Sequence, residues 1–203
     1  MRSSALKQER NSRLPLDISR GYEPEEPRGR DLGKAVLAGL AGGLIGSIAM
    51  NQFQNAWSKA SKAFKKNSAQ ESEAQNEQQS GEQQQSEDAT MKAAGKIARV
   101  AGRQLSHAQR AKLGPVVHYS FGTLQGGIYG AVTELAGTKG GFVPGITFGA
   151  ALFGLADELA VPALGLSGKP TESPLSSHLY ALVSHLVYGI STDVVQRGLR
   201  AIL

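Results

Sequence analysis

Residues 32–53 read LGKAVLAGLAGGLIGSIAMNQF, and the only charge among them is Lys34, near the entrance. A helix needs about 20 predominantly apolar residues to cross the hydrocarbon core of a bilayer, so this stretch predicts a transmembrane helix. Everything else in the chain is read relative to it. The preceding tail, residues 1–31, is polar and carries Pro15, Pro24 and Pro27; with no apolar stretch to bury, it is expected to be disordered. The first apolar stretch begins only after Asp31, which is not the layout of a secretory signal, so it reads as an uncleaved anchor. Beyond it, residues 54–66 remain helix-friendly and add Lys59, Lys62, Lys65 and Lys66. The helix is therefore expected to leave the membrane and run on to about residue 66, with Trp57 in the headgroup belt.

Average composition conceals this pattern. The 203 residues are 40% hydrophobic and 6% aromatic, with a net charge of +5, values ordinary for a soluble domain. Two polar stretches dilute the rest, the tail and a Gln/Glu/Ser-rich run over 67–89 that reads as a flexible linker. The chain has no cysteine, which removes disulfides, thiolate ligands and a cysteine nucleophile. Its basic residues are not interleaved with aromatics and follow no nucleic-acid-binding spacing, so no nucleic-acid partner is expected.

Residues 90–113 form an amphipathic pattern. At the helical period Lys92, Lys96, Arg99, Arg103 and Arg110 fall in one sector, opposite Ala94, Ile97, Ala98, Ala101, Leu105 and Ala108. This predicts a helix lying in the interface, its basic face on anionic headgroups. A helix packed on the protein with a solvated basic face is the competing reading. Gly114 and Pro115 are expected to end it and open the second span.

The region 114–203 predicts a three-helix membrane domain. Its first helix reads VVHYSFGTLQGGIYGAVTELA over Val116–Ala136. Glycine costs a water-exposed helix about 1 kcal/mol relative to alanine, whereas in lipid it lets helix backbones approach closely. Gly122, Gly126 and Gly130 make successive GxxxG pairs; Gly39 with Gly43 and Gly42 with Gly46 repeat the device in the first span, and Gly145 and Gly149, preceded by Gly141, do so in the third. The third span covers about 142–164 but is uncharged only to Ala156, before Asp157 and Glu158, and a re-entrant segment is the alternative to a full crossing. The fourth, about 177–195, holds His178, His185 and Asp193. The fold class is thus all-α: a polytopic membrane protein with about four glycine-rich transmembrane helices and one amphipathic interfacial helix.

Alternating crossings sort the ionisable residues into two groups. His118, Asp157, Glu158 and His178 share the side of the long loop, side one. Glu134, Asp193, Arg197 and Arg200 share the opposite end, side two. His118 and Glu134 lie about 24 Å apart at 1.5 Å rise per residue, too far for one site. His185 sits between the groups. Intramembrane ionisable groups are costly unless paired, so they predict either cross-helix pairing, Glu134 with Arg197 for example and Asp193 with Arg197 along its own helix, or a proton or ion pathway. No HExxH, nucleophile, phosphate-loop or dinucleotide motif occurs, so neither metal, cofactor nor enzymatic activity is expected.

The segment from His118 to Arg200 resembles the YagU-like family of uncharacterised bacterial inner-membrane proteins. The likeness rests on the His118–Glu134 stretch with Tyr129, the PALGLSGKP turn from Pro162 to Pro170, and the terminal SHLVYGISTDVVQRGLR from Ser184 to Arg200, where the family has glutamate in place of Asp193. It implies that His118, Glu134, His185, Asp193 and Arg197 are family positions, and an inner-membrane location. The linker and the basic helix depart from that pattern. The basic ends favour a cytoplasmic side two, although Lys59–Lys66 place comparable charge beside side one. Two functions follow: a non-catalytic scaffold or accessory subunit contacting other membrane subunits or itself, or a small proton or ion pathway through the histidines and Glu134.

Overall fold

The computed structural model describes residues 28–68, 78–138 and 142–203, with side chains described over 31–63, 89–138 and 142–203. The expected disorder of the tail up to residue 27, the linker over 69–77, and Gly141 lie outside the described residues. All regular structure among the described residues is helical: α1 (Arg28–Ser68), α2 (Gln78–Val100), α3 (His107–Leu135), α4 (Phe142–Ala163) and α5 (Leu175–Arg200), with one 3₁₀ turn at Pro170–Glu172.

α1 is continuous through the lysine-rich extension, 41 residues and about 60 Å long at 1.5 Å per residue. Two helices are long and apolar enough to cross a membrane by length and composition, Asp31–Ala63 and Phe142–Ala163, with mean hydropathies of 1.6 and 1.4. The second of these is one continuous helix. It runs without a break from the α-helical Phe142–Leu152 through a π-helical stretch, Phe153–Ala160, into a last turn at Val161–Ala163.

The amphipathic segment departs from expectation in two places. α2 begins at Gln78, inside the expected linker, and ends at Val100 instead of residue 113. The break falls at Gly102, whose φ of 72° is the left-handed conformation glycine adopts without a Cβ penalty. The Arg103 amide donates back to the Ala98 carbonyl at 2.8 Å, which closes the helix end. α3 then starts on Ser106, which exchanges hydrogen bonds with Gln109 in a capping box. It passes straight through Pro115, so the expected Gly114–Pro115 boundary does not exist. A proline inside a helix removes one hydrogen bond. Here α2 fastens the adjoining turn, with Thr90 and Met91 beside Gly114.

The sequence pairs in contact give the topology. Gly39 meets Gly126 and Gly130 while Gly43 meets Gly122, Gly46 meets Tyr188 while Gly42 meets Thr192 and Gln196, and Gly149 meets His185 while Gly145 meets Asp193. Rising numbers on one helix match falling numbers on the other, so α1 is antiparallel to α3 and α5, and α4 is antiparallel to α5. α1, α3, α4 and α5 form an up-down-up-down bundle. α2 packs antiparallel against the first turns of α3, as the pairs Gly114–Met91 and Gly95–Arg110 require.

The bundle is packed inside out relative to a soluble core. Buried in it are Ser47, Ser184, His185, Thr192, Asp193, Gln196, Tyr129, Tyr188, small alanines and the contact glycines. Leu166, in the α4–α5 connection, is the one buried Leu, Ile, Val or Phe among the described residues. Leu37, Leu124, Ile128, Val143, Leu155 and Leu179 are each more than half exposed. Water-soluble interiors favour the large aliphatics found here on the outside.

Candidate functional site

Glycines bring the helix backbones together around the polar interior. At Gly126 a Cβ would strike the Gly39 carbonyl oxygen and approach Gly43 Cα to 2.5 Å; at Gly43 it would strike the Gly122 oxygen, and at Gly130 the Ala35 oxygen. At Gly145 and Gly149 the obstacles are the Gly189 and His185 carbonyl oxygens. Gly39, Gly43, Gly122, Gly126, Gly130, Gly145 and Gly149 all serve contacts within one chain, so these faces are not left over for a partner. Gly189 joins them as the counterpart of Gly145 and Gly149. A lone glycine in the fourth span carries no GxxxG signal, so its role does not show in the sequence.

With the backbones this close, side two gathers a polar network. Asp193 is almost wholly buried. Its Oδ1 accepts from Tyr129 at 2.7 Å and its Oδ2 from Arg197 at 2.6 Å. Glu134 accepts from one Arg200 nitrogen at 2.9 Å to each carboxylate oxygen. The expected Asp193–Arg197 contact is present; Glu134 pairs with Arg200 and not with Arg197. α3 and α5 run parallel, and Arg200, two turns beyond Asp193 on the same face, comes level with the end of α3. Lys34 of α1 donates to the Leu203 carbonyl at 2.5 Å. The groups border an open cavity of about 310 Å³ whose walls include Tyr129, Glu134, Asp193, Arg197 and Arg200. Tyr129 stacks on Phe148 of α4, centroids 4.5 Å apart, which fixes its hydroxyl over Asp193.

Side one is assembled by the π-helical stretch of α4. Its wider turn directs the adjacent Asp157 and Glu158 both toward α5, and such stretches in α-helices are frequent at functional sites. Glu158 Oε1 lies 2.7 Å from His178 Nδ1, and the other ring nitrogen is 3.0 Å from the Pro170 carbonyl oxygen. Asp157 Oδ2 is 3.6 Å from His185 Nδ1, which lies closer, at 2.9 Å, to the Ala181 carbonyl oxygen. His118 packs edge-on against Tyr119, 5.5 Å between centroids, and Tyr119 accepts from Asn51 at 2.8 Å. Among the described residues no three His, Asp or Glu side chains gather as a metal ion requires.

Between the two ends lies Tyr188, whose hydroxyl donates to the Gly122 carbonyl at 2.6 Å. Neither Tyr188 nor the neighbouring buried Thr192 stands out in the sequence, where each is one moderately polar residue in an apolar run.

The basic residues of the expected interfacial helix do not lie on one helix. Lys92, Lys96 and Arg99 are exposed on α2, Arg103 lies in the connection, and Arg110 belongs to α3 with its stem against Gly95. Lys96 donates to the Leu164 carbonyl in the α4–α5 connection, tying α2 to side one. Comparison with protein-family models, curated proteins and solved structures finds no match to this chain.

Proposed function

We propose that the chain is a multi-pass membrane protein whose α1, α3, α4 and α5 cross the bilayer in alternating directions, and that it acts without catalysis, as a scaffold or accessory subunit of a membrane assembly. The observation that carries this reading is the inverted packing: exposed aliphatics surround an interior of glycine, serine, threonine and paired charges. Lipid tails solvate the exterior, while close backbone contact and interior hydrogen bonds replace the hydrophobic force that lipid does not supply between helices. α4, with 22 residues, and α5, with 26, are each long enough for a hydrocarbon core of about 30 Å at 1.5 Å per residue. On α5 the polar residues Ser184, His185, Thr192, Asp193 and Gln196 are buried.

The ion pairs favour a structural role over a pathway. Asp193, Glu134 and Glu158 are each closed by a partner from within the fold, and Tyr188 is anchored across the seam between the two ends. The resemblance to the YagU-like family supports a bacterial inner-membrane location, and the basic ends support cytoplasmic termini.

The test is extraction from membranes in mild detergent followed by native mass spectrometry. The expected result is an assembly heavier than a simple multiple of the 21.4 kDa chain, with co-purifying subunits. Full recovery in the supernatant without detergent would remove the membrane reading. A clean monomer would remove the accessory-subunit reading.

A further inference from the structure

We infer that the side-two cavity is a binding site for a phosphate group, its donors being the guanidinium groups of Arg197 and Arg200 where they line the space between α3, α4 and α5. A tally of donors and acceptors leads there. Both Asp193 oxygens are occupied, by Tyr129 and Arg197, and both Glu134 oxygens accept from a single Arg200 nitrogen. Each carboxylate oxygen at this end therefore already accepts one hydrogen bond. Each guanidinium has five N–H donors in a fixed fork, and each uses one terminal nitrogen in these ion pairs. Among these four groups more N–H donors than carboxylate lone pairs are left unused.

The Arg197 guanidinium is also incompletely bonded. Arg197 Nε is buried and has no hydrogen-bond partner, although leaving a buried polar group unmade costs about 1–3 kcal/mol and more for a charged one. Arginine forks match phosphate oxygens in a bidentate way, and about 310 Å³ accommodates a phosphate with part of its ester.

A phospholipid headgroup and free phosphate share this chemistry. Exposed aliphatic residues distinguish them: Leu135, Val143 and Val194, each adjacent in sequence to a wall residue, are exposed, a surface that acyl chains would cover. The headgroup assignment rests on the membrane reading above.

The experiment uses full-length protein stripped of lipid in excess detergent, then offered phosphatidylglycerol, phosphatidylcholine or inorganic phosphate. Native mass spectrometry counts lipid adducts, and thermal melting reports phosphate. The expected result is one phosphatidylglycerol adduct with at least fivefold preference over phosphatidylcholine, lost in the charge-matched double variant Asp193→Asn/Arg197→Gln. Ala201 lines the cavity without joining an ion pair, so Ala201→Phe fills the space while leaving the network intact. It should abolish the adduct in a protein that melts like wild type, even if the double variant does not fold. Lys92→Gln/Lys96→Gln on the opposite side should keep it. Stabilisation by inorganic phosphate alone, lost in Ala201→Phe, would assign the site to free phosphate. Equal retention of both lipids with no phosphate response, or an adduct that survives Ala201→Phe, overturns the inference. In a protein that still needs detergent for extraction, that result leaves the membrane reading standing.

Discussion

α3 makes two seams of opposite kind. Over residues 107–115 it lies against α2, where the atoms facing its partner's glycine belong to a flexible side chain: a Cβ at Gly95 would meet Arg110 Cδ at 3.0 Å. Over residues 122–130 it lies against α1, where the obstacles are backbone, Gly43 Cα and N at 2.5 and 2.6 Å from a Cβ on Gly126. One helix is thus joined to its neighbours by side chains at its start and by main chain further on. On the membrane reading proposed above, the difference follows from the solvent. Where water competes, long amphipathic stems cover apolar surface; in lipid the gain comes from backbones brought within van der Waals contact, which only glycine permits.

Gly126→Leu strikes the backbone seam directly and should have the largest effect. Overpacking a tight core costs about 1–3 kcal/mol and occasionally more, and rigid backbone on both flanks puts this case at the upper end. The expected outcome is loss of the folded, monodisperse protein in detergent size-exclusion chromatography. A variant that elutes and melts like wild type would mean that α1 and α3 do not meet through these glycines.

Tyr129→Phe probes the polar interior that close packing encloses. It removes a 2.7 Å bond to the buried Asp193 while keeping the ring on Phe148. Hydrogen bonds to charged groups contribute about 1.5–3 kcal/mol, so the melting temperature should fall clearly without loss of the fold. An unchanged melting temperature would show that the hydroxyl lies in an environment as wet as the α2 seam.

These seams differ in how far the sequence reveals them. The GxxxG spacing on α1 and α3 pointed to close packing because glycine at intervals of four lines one helix face, and the i, i+4 spacing of Asp193 and Arg197 made their contact readable. The partner of Arg200 was not readable, because Glu134 and Arg200 meet only through the parallel alignment of α3 and α5, a long-range outcome. Nor was the π-helical stretch, where the direction of Asp157 and Glu158 depends on a local change of helical pitch that has no residue signature here. The clearest miss is at Pro115. Local propensity places a boundary at Gly114–Pro115, yet tertiary contact from Thr90 and Met91 carries the helix through, and the break moves to Gly102, where the left-handed backbone is available.

That relocated break has its own test. Ser106→Ala removes the side-chain acceptor of the Gln109 amide, and loss of such a cap costs about 0.5–2 kcal/mol. The effect should be confined to the α2 seam: faster hydrogen exchange in the first turns of α3, with residues 122–130 unchanged. Equal acceleration in both parts would mean that the two seams unfold as one.

Gly95→Ala closes the comparison with the smallest effect. The added methyl meets the Arg110 stem, which can swing aside, and alanine in a helix interior gains roughly 0.5–1 kcal/mol over glycine. The melting temperature should therefore hold or rise slightly, whereas Gly126→Ala, the same chemical change on α3, should lower it because a carbonyl oxygen cannot swing. If both substitutions lowered it equally, Arg110 would be as rigid as main chain, and the contrast between the side-chain seam and the backbone seam would fail at the residue where it is sharpest.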